Sequence, residues 1–102
     1  MSETTHRQRE NAFGLRAAKL LLEIKAVNFR LDDPFILTSG WASPVYIDCR
    51  KLISYPKERQ KMMDLAVQLL DDKIDFNKVD TVAGGETAGI PYAAWITQST
   101  NK

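Results

Sequence analysis

The sequence predicts an α/β fold, and three observations support this class. Two amphipathic helical segments lie on either side of a β-prone region, and a later apolar run enters a third helix through a glycine-rich loop. The predicted order is helix, hairpin, helix, strand, loop, helix. A strand that enters a helix through a tight loop is typical of parallel sheets, whose ligands bind at the carboxyl ends of the strands.

The first element is an amphipathic helix expected from Arg7 to Val27. Its apolar residues recur at helical spacing, whereas the charged residues fall largely on other faces. These apolar residues are Phe13, Ala17, Ala18, Leu21, Leu22 and Ile24. Such a stripe indicates a packing face. The preceding polar tail, which contains His6, is expected to fray.

A β-hairpin is expected next, formed by Pro34–Thr38 and Pro44–Asp48. The five residues between these runs include a glycine, which is typical of a hairpin connection. Trp41 lies in this connection. A large aromatic side chain there either folds back onto the domain or is offered to a partner or ligand, and the sequence leaves both alternatives open.

The second helix is expected to begin near Pro56, with Ser54 as its capping residue, and to run to Asp72. Three aspartates lie at its end: Asp71, Asp72 and Asp75. They suggest either a metal site or a solvated helix terminus, and we favour the solvated terminus.

The last elements are a strand at Val79–Ala83, a glycine-rich loop and a helix at Ile90–Gln98. Without Cβ atoms, the loop glycines let the backbone approach a ligand closely. The helix that follows offers unpaired N–H groups and the positive end of its dipole. The loop is therefore a candidate phosphate site.

Composition argues against several classes of function. The 14 basic and 13 acidic residues give a net charge of +1, which provides no attraction for nucleic acid or an anionic membrane. No apolar run is long enough to span a membrane, and the N-terminus lacks the apolar centre of a secretory signal, so we expect a cytoplasmic protein. The single cysteine, Cys49, and the single histidine argue against a disulfide, a zinc site or a Cys/His pair.

Two segments are similar to a known family. Phe35–Arg50, followed after the second helix by Gly84–Ala93, closely resembles the N-terminal half of orotate phosphoribosyltransferase. The resemblance implies the N-terminal part of a type I phosphoribosyltransferase fold, in which a helix and hairpin form a hood over a parallel sheet with flanking helices. Residues 1–50 would form the hood, and residues 51–102 the first, incomplete part of the core.

The family joins orotate to 5-phosphoribosyl diphosphate with Mg²⁺, releases diphosphate and functions as a homodimer in pyrimidine synthesis. The resemblance implies that Tyr46 and Ile47 contact orotate. It also implies diphosphate contacts from two stretches, which are Thr38, Ser39 and Gly40 in the hairpin turn and Glu86, Thr87, Ala88 and Gly89 in the loop. No residue here matches a catalytic or metal-binding position. Because a carboxylate repels phosphate unless Mg²⁺ lies between them, we expect Glu86 to turn away.

The sequence departs from the family pattern at two kinds of position. Many members have lysine where this chain has Thr38 and Ala88, so donor affinity from these points is expected to be lower. The catalytic lysine and histidine, and the Asp-Asp pair before a Thr- and Gly-rich loop, are not found in these 102 residues. We therefore expect the chain to be inactive alone. The alternatives are a non-catalytic binding or dimerisation module and a generic small α/β domain.

Overall fold

The computed structural model describes residues 3–102, so Met1 and Ser2 of the expected polar tail lie outside it. The elements are α1 (Glu3–Glu23), β1 (Val27–Phe29), β2 (Phe35–Ile36), β3 (Ala42–Ser43), β4 (Val45–Ile47), a 3₁₀ helix (Cys49–Ser54), α2 (Pro56–Lys73), a second 3₁₀ helix (Phe76–Lys78) and α3 (Gly89–Thr100). All three predicted helices are therefore present. His6 lies within α1 rather than in a frayed tail.

Helix α1 ends four residues before the predicted boundary because the chain turns at Lys25. This residue has a left-handed φ of 59°. Its N–H bonds the Leu22 carbonyl at 3.1 Å, and the N–H of Ala26 bonds the Leu21 carbonyl at 2.9 Å. This pair of bonds is the Schellman arrangement, which satisfies the last carbonyls of a helix. The residues from Val27 onward are thereby free to form a strand.

The predicted hairpin pairing is wrong for its second strand. Strand β4 pairs antiparallel with β1, where Tyr46 lies opposite Asn28. Strand β2 pairs with the short β3, where Phe35 lies opposite Ser43. Pro44, which has no N–H to donate, separates β3 from β4. The continuous segment at residues 42–47 therefore contributes one strand to each of two separate two-stranded antiparallel sheets.

Two small apolar clusters form the core. Phe13, Leu20 and Leu65 pack between α1 and α2. Ile24, Ala26 and Leu52 pack where α1 meets the first 3₁₀ helix, and Tyr92 of α3 packs against them. The clusters place the first turn of α3 beside the end of the segment up to residue 50, for which we keep the name hood.

The ends of α2 differ from the sequence-based expectation in detail. Its N-cap is Tyr55, which makes no side-chain capping bond, so the predicted capping role of Ser54 is wrong. At the other end, the Asp72 carboxylate lies 3.0 Å from Nε of Arg9 on α1. Asp75 accepts a 3.0 Å bond from the N–H of Asn77. Two of the three aspartates thus have structural partners.

The segment at residues 79–83 belongs to no sheet, although the backbone of Val79 is extended. A strand is defined by hydrogen bonds to a neighbour. Both sheets within residues 3–102 are antiparallel and lie in the hood. The predicted strand at Val79–Ala83 is therefore not formed by the described residues, and neither is a parallel sheet. None of the helices within residues 3–102 has both the length and the apolar character that a membrane-spanning helix requires.

Candidate functional site

An open cleft of about 530 Å³ lies beside the hairpin turn of the hood. Three of the predicted site residues line it, namely Thr38, Ser39 and Tyr46. Ile47 is not among the lining residues, in keeping with the alternation of side chains along a strand, which points neighbours to opposite faces. The cleft combines two hydroxyl side chains with one phenol ring.

The cleft also contains Arg30, which the sequence analysis did not select. Its guanidinium carbon lies 4.9 Å from the centroid of the Phe35 ring. The Phe35 and Tyr46 rings are 5.6 Å apart and tilted by 39°. Arg30 follows β1, whose first residue, Val27, was predicted to end the first helix and whose other two residues were assigned to no element. The apolar and polar residues that alternate from Val27 to Arg30 were the signal that could have found it.

The turn between β2 and β3 owes its shape to Gly40. This residue has a φ of 91°, a conformation that residues with a Cβ rarely adopt. Its N–H donates to the Leu37 carbonyl at 2.8 Å. The Trp41 side chain is 77% exposed, so the alternative in which it folds back onto the domain is wrong. Gly40 itself is not among the residues that line the cleft.

The glycine-rich loop is closed by direct contact between backbone atoms. A Cβ built on Gly84 would lie 2.1 Å from the carbonyl oxygen of Gly89, so only glycine fits there. The N–H of Gly89 donates to the Gly85 carbonyl at 2.9 Å. Glu86 and Thr87 are exposed on this loop, and the peptide bond between them is cis.

The start of α3 follows this loop directly. Ala88 and Gly89 are half-buried there, and Ala88 as N-cap makes no side-chain capping bond. An alanine cap offers no side-chain acceptor. The N–H groups of Gly89 and Ile90 already donate to the carbonyls of Gly85 and Thr87, and Pro91 has none, so an anion would meet the positive end of the helix dipole and the loop N–H groups before Gly89.

Tyr92 connects the loop to the hood. Its hydroxyl donates a hydrogen bond to the carbonyl of Cys49, two residues beyond β4. Its ring packs edge-on against Trp95 at 5.4 Å, and the Arg59 guanidinium lies 4.3 Å from the centre of that indole. Burial raises the pKa of the Tyr92 phenol above its usual value. The helix that carries the loop is therefore fixed to the end of the strand that carries Tyr46.

A second polar contact orders the end of β4. The Asp48 carboxylate accepts from the N–H of Arg50 at 3.2 Å and from its Nε at 2.9 Å. This pairing lowers the pKa of Asp48 and raises the pKa of Arg50. Cys49 lies between them and is exposed.

The two sets of predicted diphosphate residues do not share one cleft. The hood cleft contains Thr38 and Ser39 but no residue from the glycine-rich loop. The hydrogen bond from Tyr92 to Cys49 links the two regions instead. Within residues 3–102 no group of three or more His, Cys, Asp or Glu side chains could hold a metal ion. The arrangement has two separate stretches that could each contact an anion, and its described residues form no cage for a cation.

Comparisons with known proteins were made at the level of sequence and of structure. The chain is 59% identical over 81 residues to orotate phosphoribosyltransferase from Sinorhizobium medicae, covering 79% of this chain and 35% of that protein. It is 58% identical over 84 residues to the protein of the same name from Rhizobium rhizogenes, with coverage of 82% and 36%. A scan against protein-family models found no match.

Two solved structures share the fold. Orotate phosphoribosyltransferase from Aeropyrum pernix superposes with a TM-score of 0.70 at 31% identity, covering 84% of this chain and 48% of that chain. UMP synthase from Leishmania donovani gives a TM-score of 0.66 at 32% identity, with coverage of 83% and 17%. The chain spans about a third of the length of the curated relatives it matches. The chain is similar to an N-terminal part of the orotate phosphoribosyltransferases and shares the type I phosphoribosyltransferase fold of these structures.

Proposed function

We propose that this chain forms the orotate-facing and diphosphate-facing part of an orotate phosphoribosyltransferase. Such an enzyme transfers the phosphoribosyl group of 5-phosphoribosyl diphosphate to orotate and releases diphosphate. The observation that carries the proposal is the cleft in which Thr38, Ser39 and Tyr46 lie together, beside a strand tied to the glycine-rich loop through Tyr92.

The strand β4 supplies the contacts proposed for orotate. Orotate is a planar anion, and a site for it requires an apolar or aromatic surface with a few polar groups at its edges. The ring of Tyr46 is partly exposed at the cleft, and Ile47 is 53% exposed on the same strand. Since neighbouring residues on a strand face opposite sides, we assign the ring contact to Tyr46 and the backbone contact to Ile47.

Backbone and hydroxyl groups supply the contacts proposed for the donor diphosphate. Thr38, Ser39 and Gly40 would contact it from the hood. From the loop, the contacts would come from Glu86, Thr87, Ala88 and Gly89, whose N–H groups lie at or just before the start of α3. Oxyanions are well suited to N–H groups near a helix N-terminus, and here these are the loop N–H groups before Gly89, since the N–H of Gly89 donates to the Gly85 carbonyl. The Glu86 side chain is exposed and would turn away from the phosphates.

Mg²⁺ would arrive with the donor rather than bind to the chain in advance. This ion usually keeps several waters and is held by substrate phosphates with one or two carboxylates. The described residues fit that mode, since they include no cage of acids that would hold the ion before the donor binds. When bound, the ion would neutralise charge on the departing diphosphate.

We further propose that the 102 residues do not transfer the phosphoribosyl group alone. The reaction needs donor phosphates, metal and leaving-group stabilisation held in one geometry. The hood cleft and the loop supply part of that set. In the complete assembly we expect a cytoplasmic homodimer.

A chimera tests the proposal directly. The 81 matched residues of the Sinorhizobium medicae protein would be replaced by the corresponding residues of this chain, and formation of orotidine 5′-monophosphate would be measured. We expect turnover by the chimera and none by the 102 residues alone. A folded but inactive chimera would contradict the proposed contacts, and turnover by the purified chain would contradict the claim that it is inactive alone.

The alternative is a non-catalytic module that binds or pairs with another protein. Its supporting observation is the exposed apolar surface of the hood, where Trp41 is 77% and Ile36 73% exposed. Light scattering after size exclusion distinguishes the two. A module of this kind would form a stable complex with the Sinorhizobium medicae protein, whereas the enzyme-fragment proposal does not require one.

A further inference from the structure

Arg30 has a position in the hood cleft that the proposed function does not yet use. Among the described residues that line the cleft, it is the only one with a formal charge. Its backbone N–H donates to the Pro44 carbonyl at 2.8 Å, so the main chain at this point is fixed by the hood. The guanidinium lies over the Phe35 ring, which adds a cation–π contact.

The ionic partner of Arg30 is easily exchanged. The guanidinium contacts the carboxylate of Asp33, three residues along the chain. The Arg30 side chain is 47% exposed and that of Asp33 is 84% exposed. Exposed pairs of this kind contribute little, since water screens the attraction and two mobile side chains lose entropy. A ligand with more negative charge than one carboxylate can therefore displace Asp33.

The chemistry of the neighbouring residues indicates which ligand would do so. Thr38 and Ser39 line the same cleft and offer hydroxyl donors without charge. A planar guanidinium presents several N–H groups in a fork that matches phosphate oxygens. Beside apolar Phe35, Ile36 and Leu37, the polar part of the lining consists of neutral hydroxyl groups and a single cation, a set suited to a phosphate group.

We propose that Arg30 binds the donor diphosphate, exchanging Asp33 for a phosphate oxygen when the ligand enters the hood cleft. This inference rests on the proposed function for the identity of the ligand. It adds a binding residue from the segment between β1 and β2 and gives Asp33 the role of a competing internal anion.

The test measures binding of inorganic diphosphate, with Mg²⁺, to the full 102-residue chain by calorimetry. Arg30→Ala should weaken binding about tenfold, as expected for loss of a charged hydrogen bond. Asp33→Asn should strengthen binding about twofold, because the competing carboxylate is removed. The matched controls are Arg16→Ala and Asp64→Asn, which make the same charge changes in the groove between α1 and α2.

The opposite signs guard against a folding artefact, since a variant that unfolds cannot bind more tightly. The inference is overturned if the unsubstituted chain does not bind diphosphate. It is also overturned if Arg30→Ala and Arg16→Ala weaken diphosphate binding equally. A third contrary result would be that Arg30→Ala weakens the binding of orotate but not that of diphosphate. Failure of the proposed function is separate, because it is read from the turnover of the chimera. An active chimera whose KM for the donor is unchanged by Arg30→Ala would overturn this inference alone.

Discussion

The substitution Gly84→Ala is the sharpest probe of the glycine-rich loop. It adds one methyl group at a position where the chain has no room for it. The new Cβ would lie 2.1 Å from the carbonyl oxygen of Gly89, 2.6 Å from its carbonyl carbon and 3.0 Å from the Cβ of Ala93. None of these atoms is the end of a flexible side chain, so the loop and the first turn of α3 must separate.

The expected cost follows from that geometry. Ordinary contact begins near 3.4 Å, and the shortest of these distances falls short of it by more than 1 Å. Overpacking that moves backbone typically costs about 1–3 kcal/mol. We expect about 2–3 kcal/mol here because two backbone atoms and one side chain are affected together. Small domains have total stabilities of about 5–15 kcal/mol, so the loss is a large fraction.

The measurement is urea unfolding followed by helical circular dichroism, with Gly85→Ala as the matched control. Gly85 has no atom within 4 Å of its added Cβ and no positive φ. That control should change the free energy of unfolding by less than about 1 kcal/mol, and reduced entropy of the unfolded chain favours a small gain. Equal midpoints for the two variants would refute the close contact between Gly84 and Gly89.

The remaining predictions concern Tyr92 and the second core cluster. Tyr92→Phe removes the hydroxyl that donates to the Cys49 carbonyl and should lower the free energy of unfolding by about 1 kcal/mol, measured in urea. Burial raises the folded-state pKa of Tyr92 above its usual value of 10.0, so its contribution to stability should be complete below pH 10.0 and should be lost as the pH rises through the folded-state pKa. Tyr92→Phe should lack this part of the alkaline loss of stability. Identical pH profiles for the two proteins would contradict this prediction. Leu52→Ala, at a position that is 2% exposed, should lower the free energy of unfolding by about 2–4 kcal/mol, measured by thermal unfolding. Leu31→Ala, at a position that is 81% exposed, should change it by less than about 0.5 kcal/mol.

The helices could be predicted from the sequence because their signals are local. Pro56 occupies the first turn of α2, as its fixed φ favours, and α2 ends within one residue of the predicted boundary. Helix α3 extends from Gly89 to Thr100, slightly beyond the predicted range. The end of α1 was missed because it depends on a lysine in a left-handed conformation, a role for which glycine is the usual signal.

Strand pairing could not be read from the sequence in the same way. The choice of β1 as the partner of β4 depends on where α1 ends, and that is settled by packing around Ala26. The segment at residues 79–83 has the composition of a strand, but hydrogen bonding to a neighbour decides whether it becomes one. The sequence could predict that the backbone of the turn and of the loop requires glycine, a residue without a Cβ. Arg30 was missed because its place in the cleft follows from β1, a strand of three residues whose alternating pattern is a weak signal.

The hydrogen bond from Tyr92 to Cys49 has a consequence for the order of assembly. It joins residues 43 apart in sequence, whereas the β1–β4 ladder joins residues that are closer together. Loop closure costs about 0.6 kcal/mol more for each doubling of length, so the hood can close before α3 docks. The glycine-rich loop therefore takes its position relative to the hood only when α3 docks. A ligand that contacts both the hood and the loop would offset part of the chain entropy lost when α3 docks.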